Sequence, residues 1–158
     1  MAVLNLLRRR KKSADPAPSP LSGCARTGAE GEEAAAAMLK SMGWRIVDRN
    51  WRSGHLELDI VAEDGGTLVF VEVKTRTKGG MQRPFEALTA VKKERLVRAA
   101  QAWMAAHDAW GTPCRFDLAC TERSSGTYQT ELIRNVIEYA DYGARHAVGG
   151  GNSSWQPW

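Results

Sequence analysis

Leu56-Glu57-Leu58-Asp59-Ile60-Val61-Ala62-Glu63-Asp64-Gly65-Gly66-Thr67-Leu68-Val69-Phe70-Val71-Glu72-Val73-Lys74 reads as two strands joined by a turn. Leu56 to Ala62 alternates with period two, and Thr67 to Lys74 is rich in β-branched residues, which suit a pleated, buried surface. Asp64-Gly65-Gly66 supplies the positive φ angles of a tight turn, so the two strands are expected to pair antiparallel as a hairpin. If Gly65 and Gly66 form a two-residue loop, Asp64 opposes Thr67, Asp59 opposes Glu72 and Glu57 opposes Lys74. Directly opposed residues share a face, so Asp59, Glu72, Lys74 and Glu57 then cluster. A loop at Asp64-Gly65 shifts the pairing by two and keeps the faces, whereas a three-residue loop separates Asp59 from Glu72. Val69, Val71 and Val73, with Leu58 and Ile60, are expected on the opposite, buried face.

Two carboxylates and an amine on one sheet face are the parts of a metal-dependent nuclease. Mg²⁺ is a hard cation that binds through one or two carboxylates, waters and phosphate oxygens, a role that fits Asp59 and Glu72. A bound ion makes water a nucleophile near neutral pH, and Lys74 is placed to orient that nucleophile or to stabilise charge developing on phosphorus. Glu-x-Lys also occurs in ordinary solvated strands. Here the pair is embedded among Phe70, Val71 and Val73, where an unpaired charge is costly.

With 158 residues, 43% of them hydrophobic, the chain is expected to form one domain at residues 27–140. Residues 1–26 read as a disordered basic arm followed by a Pro-, Ser- and Ala-rich linker, and residues 141–158 as a flexible tail. No apolar run approaches the ~20 residues needed to cross a bilayer. Val3 to Leu7 is too short for a signal-peptide core and precedes its basic cluster. An odd set of cysteines, Cys24, Cys114 and Cys120, fits free thiols in a reducing cytoplasm. His55-x-Glu57 with Pro113-Cys114 has half the pattern of a zinc deaminase, but the next cysteine is Cys120, so the compact Cys-x-x-Cys turn is missing.

The net charge of +4 is smaller than the charge of Arg8-Arg9-Arg10-Lys11-Lys12 alone, so the basic balance comes largely from the arm. Within the domain, residues 74–98 hold eight bases against Glu86 and Glu94. Arg76, Lys78, Arg83, Lys92 and Lys93 of this segment are candidate nucleic-acid contacts, since phosphates attract such a stripe. A solvated helix face is the plainer account of Lys92 to Arg98.

The predicted element order is α-β-β-β-α-β, with a further strand or short helix after it. Thr27-Gly28-Ala29-Glu30 has capping-box spacing and opens a helix that runs to Met42 and stops at Gly43. Trp44 to Trp51 is a strand, the hairpin comes next, and Thr75 to Pro84 is a loop. Between Thr89 and His107, Leu96, Ala100, Trp103, Met104 and His107 trace one helical stripe, which makes His107 a packing residue. Arg115 to Cys120 alternates as a strand, with Phe116 and Leu118 on one side and Asp117 on the other.

Gly28-x-x-Gly31-Glu32-x-x-Ala35, Arg49-Asn50-Trp51-Arg52, Glu57-Leu58-Asp59, Phe70-Val71-Glu72-Val73-Lys74 and Arg115-Phe116-Asp117 occur in one order. Over residues 27–120 the chain thereby resembles the YraN family, uncharacterised protein family 0102, whose fold is similar to the PD-(D/E)xK restriction endonucleases and Holliday junction resolvases. That resemblance implies an α/β, restriction-endonuclease-like fold, a central mixed sheet flanked by helices. It further implies Asp59 and Glu72 as ligands of Mg²⁺ or Mn²⁺, Lys74 as the catalytic lysine and Glu32 as a helical carboxylate added to the site, with Glu57 in support. A helix-dipole acid is the other reading of Glu32. The chain departs from the family's Gly-Glu-x-Asp, because Leu56 replaces the glycine and Gly54 stands two residues earlier. The expected activity is metal-dependent hydrolysis of phosphodiesters, with DNA, branched or flapped, as the partner, no membrane, and a homodimer as one arrangement open to it. The alternative is a nucleic-acid-binding module that keeps the fold without hydrolysis.

Overall fold

The computed structural model of the chain describes residues 23–77 and 88–137. Residues 1–22 of the predicted arm and linker, the tail and most of the Thr75–Pro84 loop, including Lys78 and Arg83, lie outside the described residues. Helix α1 (Gly23–Ser41) leads into strands β1 (Arg45–Ser53), β2 (Leu56–Asp64) and β3 (Thr67–Thr77). Helix α2 (Ala90–Ala106) and strands β4 (Cys114–Ser124) and β5 (Thr127–Ile133) complete the order. The five strands form one sheet in chain order, antiparallel except where β3 and β4 run parallel. A parallel pair needs a crossover, and α2 provides it. The result is an α/β fold: a mixed sheet with one helix on each face. No helix among the described residues is long and apolar enough to cross a membrane.

The β2–β3 turn closes as a two-residue loop, Asp64 opposite Thr67, with Gly65 at φ 57° and Gly66 at φ 90°. Positive φ at both central positions matches the right-handed twist of paired strands, which is why glycines stand there. β3 is the central strand, and Leu68, Val69, Phe70, Val71 and Val73 are all buried. On one face α2 lays Trp103 edge-on against Phe70 (ring centroids 5.9 Å apart), and Phe70 stacks on Phe116 at 5.5 Å. The Trp103 indole N–H donates to Asp48 Oδ2 at 3.0 Å, so this large buried side chain leaves no unmet donor. Thr89 caps α2, and His107 closes it with its ring stacked on Trp103, the packing role expected. On the other face Ala35, Ala36 and Leu39 of α1 cover Ile60, Val69, Val71 and Val73.

Two expectations change, and the choice left open after β4 resolves. α1 begins at Gly23 and not at a Thr27 cap, because Ala25 and Arg26 are good helix formers and nothing there breaks the helix. The element after β4 is a strand, paired with β4 from Leu118↔Ile133 to Ser124↔Thr127. Leu58 packs with Phe70 and Trp103 on the α2 face, whereas Ile60 packs with Val69 and Val71 under α1. Residues two apart in a regular strand share a face, so β2 must rotate between them, at Asp59.

At Gly31 α1 passes close to β3. A Cβ there would lie 1.8 Å from Thr75 Oγ1 and 2.8 Å from Thr75 Cβ, whereas one at Gly28 would meet nothing within 4 Å. Gly31→Ala is therefore expected to destabilise the protein by about 1–3 kcal/mol through overpacking, despite the better helix propensity of alanine. Gly28→Ala serves as the control and is expected to be neutral or stabilising. Urea denaturation of both variants checks the pair, and a neutral Gly31→Ala would show that the helix stands off Thr75.

Candidate active site

The rotation at Asp59 coincides with a fork in the sheet. β2 pairs with β3 from Asp64↔Thr67 to Ile60↔Val71 and no further, although β3 stays paired with β4 as far as Thr77↔Arg123. From Leu56 to Leu58, β2 pairs with β1 alone. The Val73 N–H exposed by the parting is taken by the Asp59 side chain, Oδ2 accepting at 2.8 Å. A carboxylate thus stands in the seam where a backbone carbonyl would otherwise be.

A pocket of about 150 Å³ lies in the fork, lined by Leu56 and Glu57 from β2, Glu72 and Lys74 from β3, and Lys92, Arg95 and Leu96 from α2. Lys74 Nζ donates to Glu72 Oε1, and both side chains are half-buried. Arg95 is anchored to the turn before β2 by a bond from its guanidinium to the His55 carbonyl at 3.3 Å. Burial pushes the Asp59 carboxyl up to about 7, helped by the negative charge of Glu72 and then of Glu32, and opposed by the Val73 N–H and Lys74. Asp59 is therefore close enough to both carboxylates for their charges to be felt.

The sequence-predicted residues divide accordingly. Asp59, Glu72 and Lys74 come together, and Glu57 lines the same pocket while pairing with Arg52 at 3.3 Å. Glu32, half-buried on α1, acts on Asp59 through its charge and does not line the pocket. Of the candidate phosphate contacts, Lys92 lines the pocket; Lys93, half-buried, does not, and Arg76 is paired with Glu122 at 3.5 Å. Arg95, one of the eight bases of residues 74–98 but not singled out as a contact, lines the pocket as well; its three-residue spacing from Lys92 puts both on one helix face. Cys114 and Cys120 are free and buried, with the Cys114 thiol pushed up to about 11 by burial, which removes any zinc-site reading.

Arg115-Phe116-Asp117 works at the other end of the sheet. Asp117, fully buried, accepts from Arg115 Nε at 3.1 Å and from the Asn135 backbone N–H at 3.0 Å. Arg115 also donates to Asp64 at 2.8 Å and lies over the Trp44 ring at 4.9 Å. This block clamps the sheet where the hairpin closes.

As to a metal, the donors in the fork are oxygens, which suit a hard divalent ion. Among the described residues no group of three or more His, Cys, Asp and Glu is gathered to hold one. Two carboxylates with waters and substrate oxygens suffice for Mg²⁺. Burial, and after it repulsion from Glu72, raises the Asp59 carboxyl, and a cation would relieve that repulsion; Asp59 and Glu72 are the oxygen donors that would hold it.

Because the Asp59 carboxyl titrates near 7 in the folded protein, against an ordinary value of 3.8, the folded state holds a proton that the unfolded chain releases across that interval. Its contribution to stability is present at low pH and declines as pH rises through that window. Asp59→Asn keeps an oxygen for the Val73 N–H and removes the buried charge. In metal-free buffer it is expected to raise the denaturation midpoint relative to wild type, by more at pH 8 than at pH 5. A variant less stable than wild type at pH 8 would contradict this account.

Comparison with known proteins places these residues in a family. The model of "Uncharacterised protein family UPF0102" matches residues 31–121, a span that runs from Gly31 through β4 as far as Thr121. The chain is 51% identical over 132 residues to a UPF0102 protein of Nitratidesulfovibrio vulgaris, covering 84% of this chain and 95% of that one. It is 43% identical to a UPF0102 protein of Chlorobaculum parvum (73% and 95% covered) and 46% identical to one of Beutenbergia cavernae (69% and 93% covered). With more than half of its length matched, the chain belongs to the uncharacterised protein family UPF0102.

Proposed function

We propose that this protein is a divalent-metal-dependent nuclease that hydrolyses phosphodiester bonds in DNA, with the β2–β3 fork as its active site. The observation that carries the reading is the fork itself, which sets Glu72 and Lys74 beside Lys92 and Arg95 of α2, with Asp59 in the adjoining seam on the Val73 N–H. In sequence Asp59, Glu72 and Lys74 are an Asp followed by Glu-x-Lys, the PD-(D/E)xK pattern, and the α/β order of elements agrees with it.

Asp59 and Glu72 would hold Mg²⁺ or Mn²⁺. When bound, such an ion supplies an activated water and draws charge from the phosphoryl oxygens. The chain's own residues do the remainder. Lys74 would orient the attacking water and donate to an oxygen on which negative charge develops. Lys92 and Arg95 draw the phosphate backbone into the pocket, Arg95 as a fork of donors matched to phosphate oxygens. Leu56 and Leu96 form an apolar wall that limits water, which strengthens these electrostatic contacts. Branched or flapped DNA is the substrate class this reading favours.

A second reading is a binding module without hydrolysis. It is favoured by one feature, the engagement of Glu72 by Lys74, which leaves the pair self-neutralised.

Labelled duplex, single-stranded, flap and four-way-junction DNAs incubated with Mg²⁺ or Mn²⁺ separate the two. Cleavage by the wild type is expected, with Glu72→Gln and Lys74→Ala each lowering the rate by at least about 100-fold while binding is largely kept. Salt-dependent binding with no cleavage of any substrate would establish the module instead. Equal product from wild type and Glu72→Gln would mark a contaminant and remove the assignment.

A further inference from the structure

Four described residues other than glycine have positive φ: Asn50, Asp108, Ser125 and Asn135. Asp108 lies just past α2, Ser125 stands in the β4–β5 turn and Asn135 lies beyond β5, but Asn50 is inside β1 with φ 51°. Left-handed backbone is unfavourable for residues with a Cβ, and asparagine is among the few that tolerate it. Nothing about a nine-residue strand calls for it.

Its partner explains the position. The β1–β2 ladder runs from Arg45↔Glu63 to Ser53↔Leu56, with a register shift between Ile46 and Asp48; between Arg49↔Ile60 and Trp51↔Leu58 it skips the pair Asn50 and Asp59. Both strands turn over at that step. Arg49 reaches Glu33 of α1 at 2.7 Å and Ile60 packs under α1, whereas Trp51 and Leu58 both pack on the α2 face. Straight strands would put Arg49 and Trp51 on one face, and Ile60 and Leu58 likewise. A single left-handed residue reverses the facing of the residues beyond it, as in a bulge, without adding a residue to the register.

We propose that Asn50 is a positioning residue: its left-handed backbone rotates β2 and so delivers the Asp59 carboxylate into the seam, onto the Val73 N–H. Without that rotation Asp59 would stand on a sheet face, and β2 would be able to continue pairing along β3 as the straight hairpin register requires. The importance of this for hydrolysis rests on the nuclease reading above. The placement of Asp59 does not, and it can be measured with no metal or nucleic acid present.

The test is a double-mutant comparison read at one backbone amide by hydrogen exchange. In the wild-type background, Asp59→Ala is expected to lower Val73 amide protection about tenfold, the loss of roughly one hydrogen bond. Asn50→Gly, which keeps the left-handed conformation open, should leave that tenfold effect in place. Asn50→Val, whose branched side chain opposes it, should reduce the effect of Asp59→Ala on Val73 to less than about twofold, because the carboxylate no longer reaches the amide. Should Asn50→Val fail to fold, Asn50→Ala serves, with the same direction expected. Three results would each overturn the proposal: a full tenfold effect in the Val or Ala background, its loss in the Gly background, or no effect of Asp59→Ala in the wild type. Cleavage assays on the same variants report separately on the nuclease reading, so an inactive protein with the expected amide pattern rejects that reading and keeps this one.

Discussion

A carboxylate bonded to a backbone N–H holds this sheet open. Asp59 occupies the Val73 amide at 2.8 Å, at the point where β2 and β3 part. An open seam in the middle of a sheet would normally expose unpaired backbone groups, which is costly wherever water is excluded. Here the side chain satisfies the first amide beyond the parting. The strands diverge without β1 or β4 losing its partner, because β1 stays on β2 and β4 stays on β3. The space so made carries Glu57, Glu72 and Lys74 on its walls and is covered by the first turns of α2.

Such a fork needs an anchor at its closed end. Arg115 ties Asp117 on β4 to Asp64 at the end of β2, and lies over Trp44 just before β1, so one guanidinium spans the sheet where the hairpin turns. The helices fix the open end. Gly31 lets α1 approach Thr75, the residue after Lys74, closely enough to bring the charge of Glu32 to bear on Asp59. On the opposite face Trp103 pins α2 to Phe70, two residues before Glu72, and its indole reaches across to Asp48 on β1. Packing on both faces therefore offsets the cost of a buried acid whose neighbours are themselves acidic.

The hairpin register was legible because Asp64-Gly65-Gly66-Thr67 leaves a tight loop little choice, and a period-two pattern fixes the faces once the loop is set. That arithmetic holds from Asp64↔Thr67 to Ile60↔Val71; the expected pairs Asp59↔Glu72 and Glu57↔Lys74 are not formed, and Glu57, Glu72 and Lys74 meet around the fork instead. The rotation at Asn50 and Asp59 was not legible. Both faces of this sheet are buried by helices, so Leu56, Leu58 and Ile60 look like one continuous apolar stripe whether or not the strand turns over. A sheet with one wet face would have shown a break in the alternation. The α1 start was also hidden, since Thr27 and Glu30 make an ordinary capping box by spacing. In the structure Glu30 instead accepts from the Tyr128 hydroxyl at 2.5 Å, a partner nearly a hundred residues away that no local pattern reports.

Asp117 and Asp59, two of the strand aspartates, show why burial of a charge is not by itself a sign of chemistry. Asp117 is fully buried, yet it receives a guanidinium and a backbone N–H, and the arrangement is complete without any ligand. Asp59 receives one backbone N–H and is pressed by the charges of Glu72 and Glu32, with only Lys74 in compensation. A structural carboxylate gains nothing from being set among other carboxylates; a neutral acceptor would fill the seam at lower free energy. On the nuclease reading proposed above, an acid in such surroundings would meet a cation, because the repulsion that disfavours its charge would become attraction shared by several oxygens around a divalent ion.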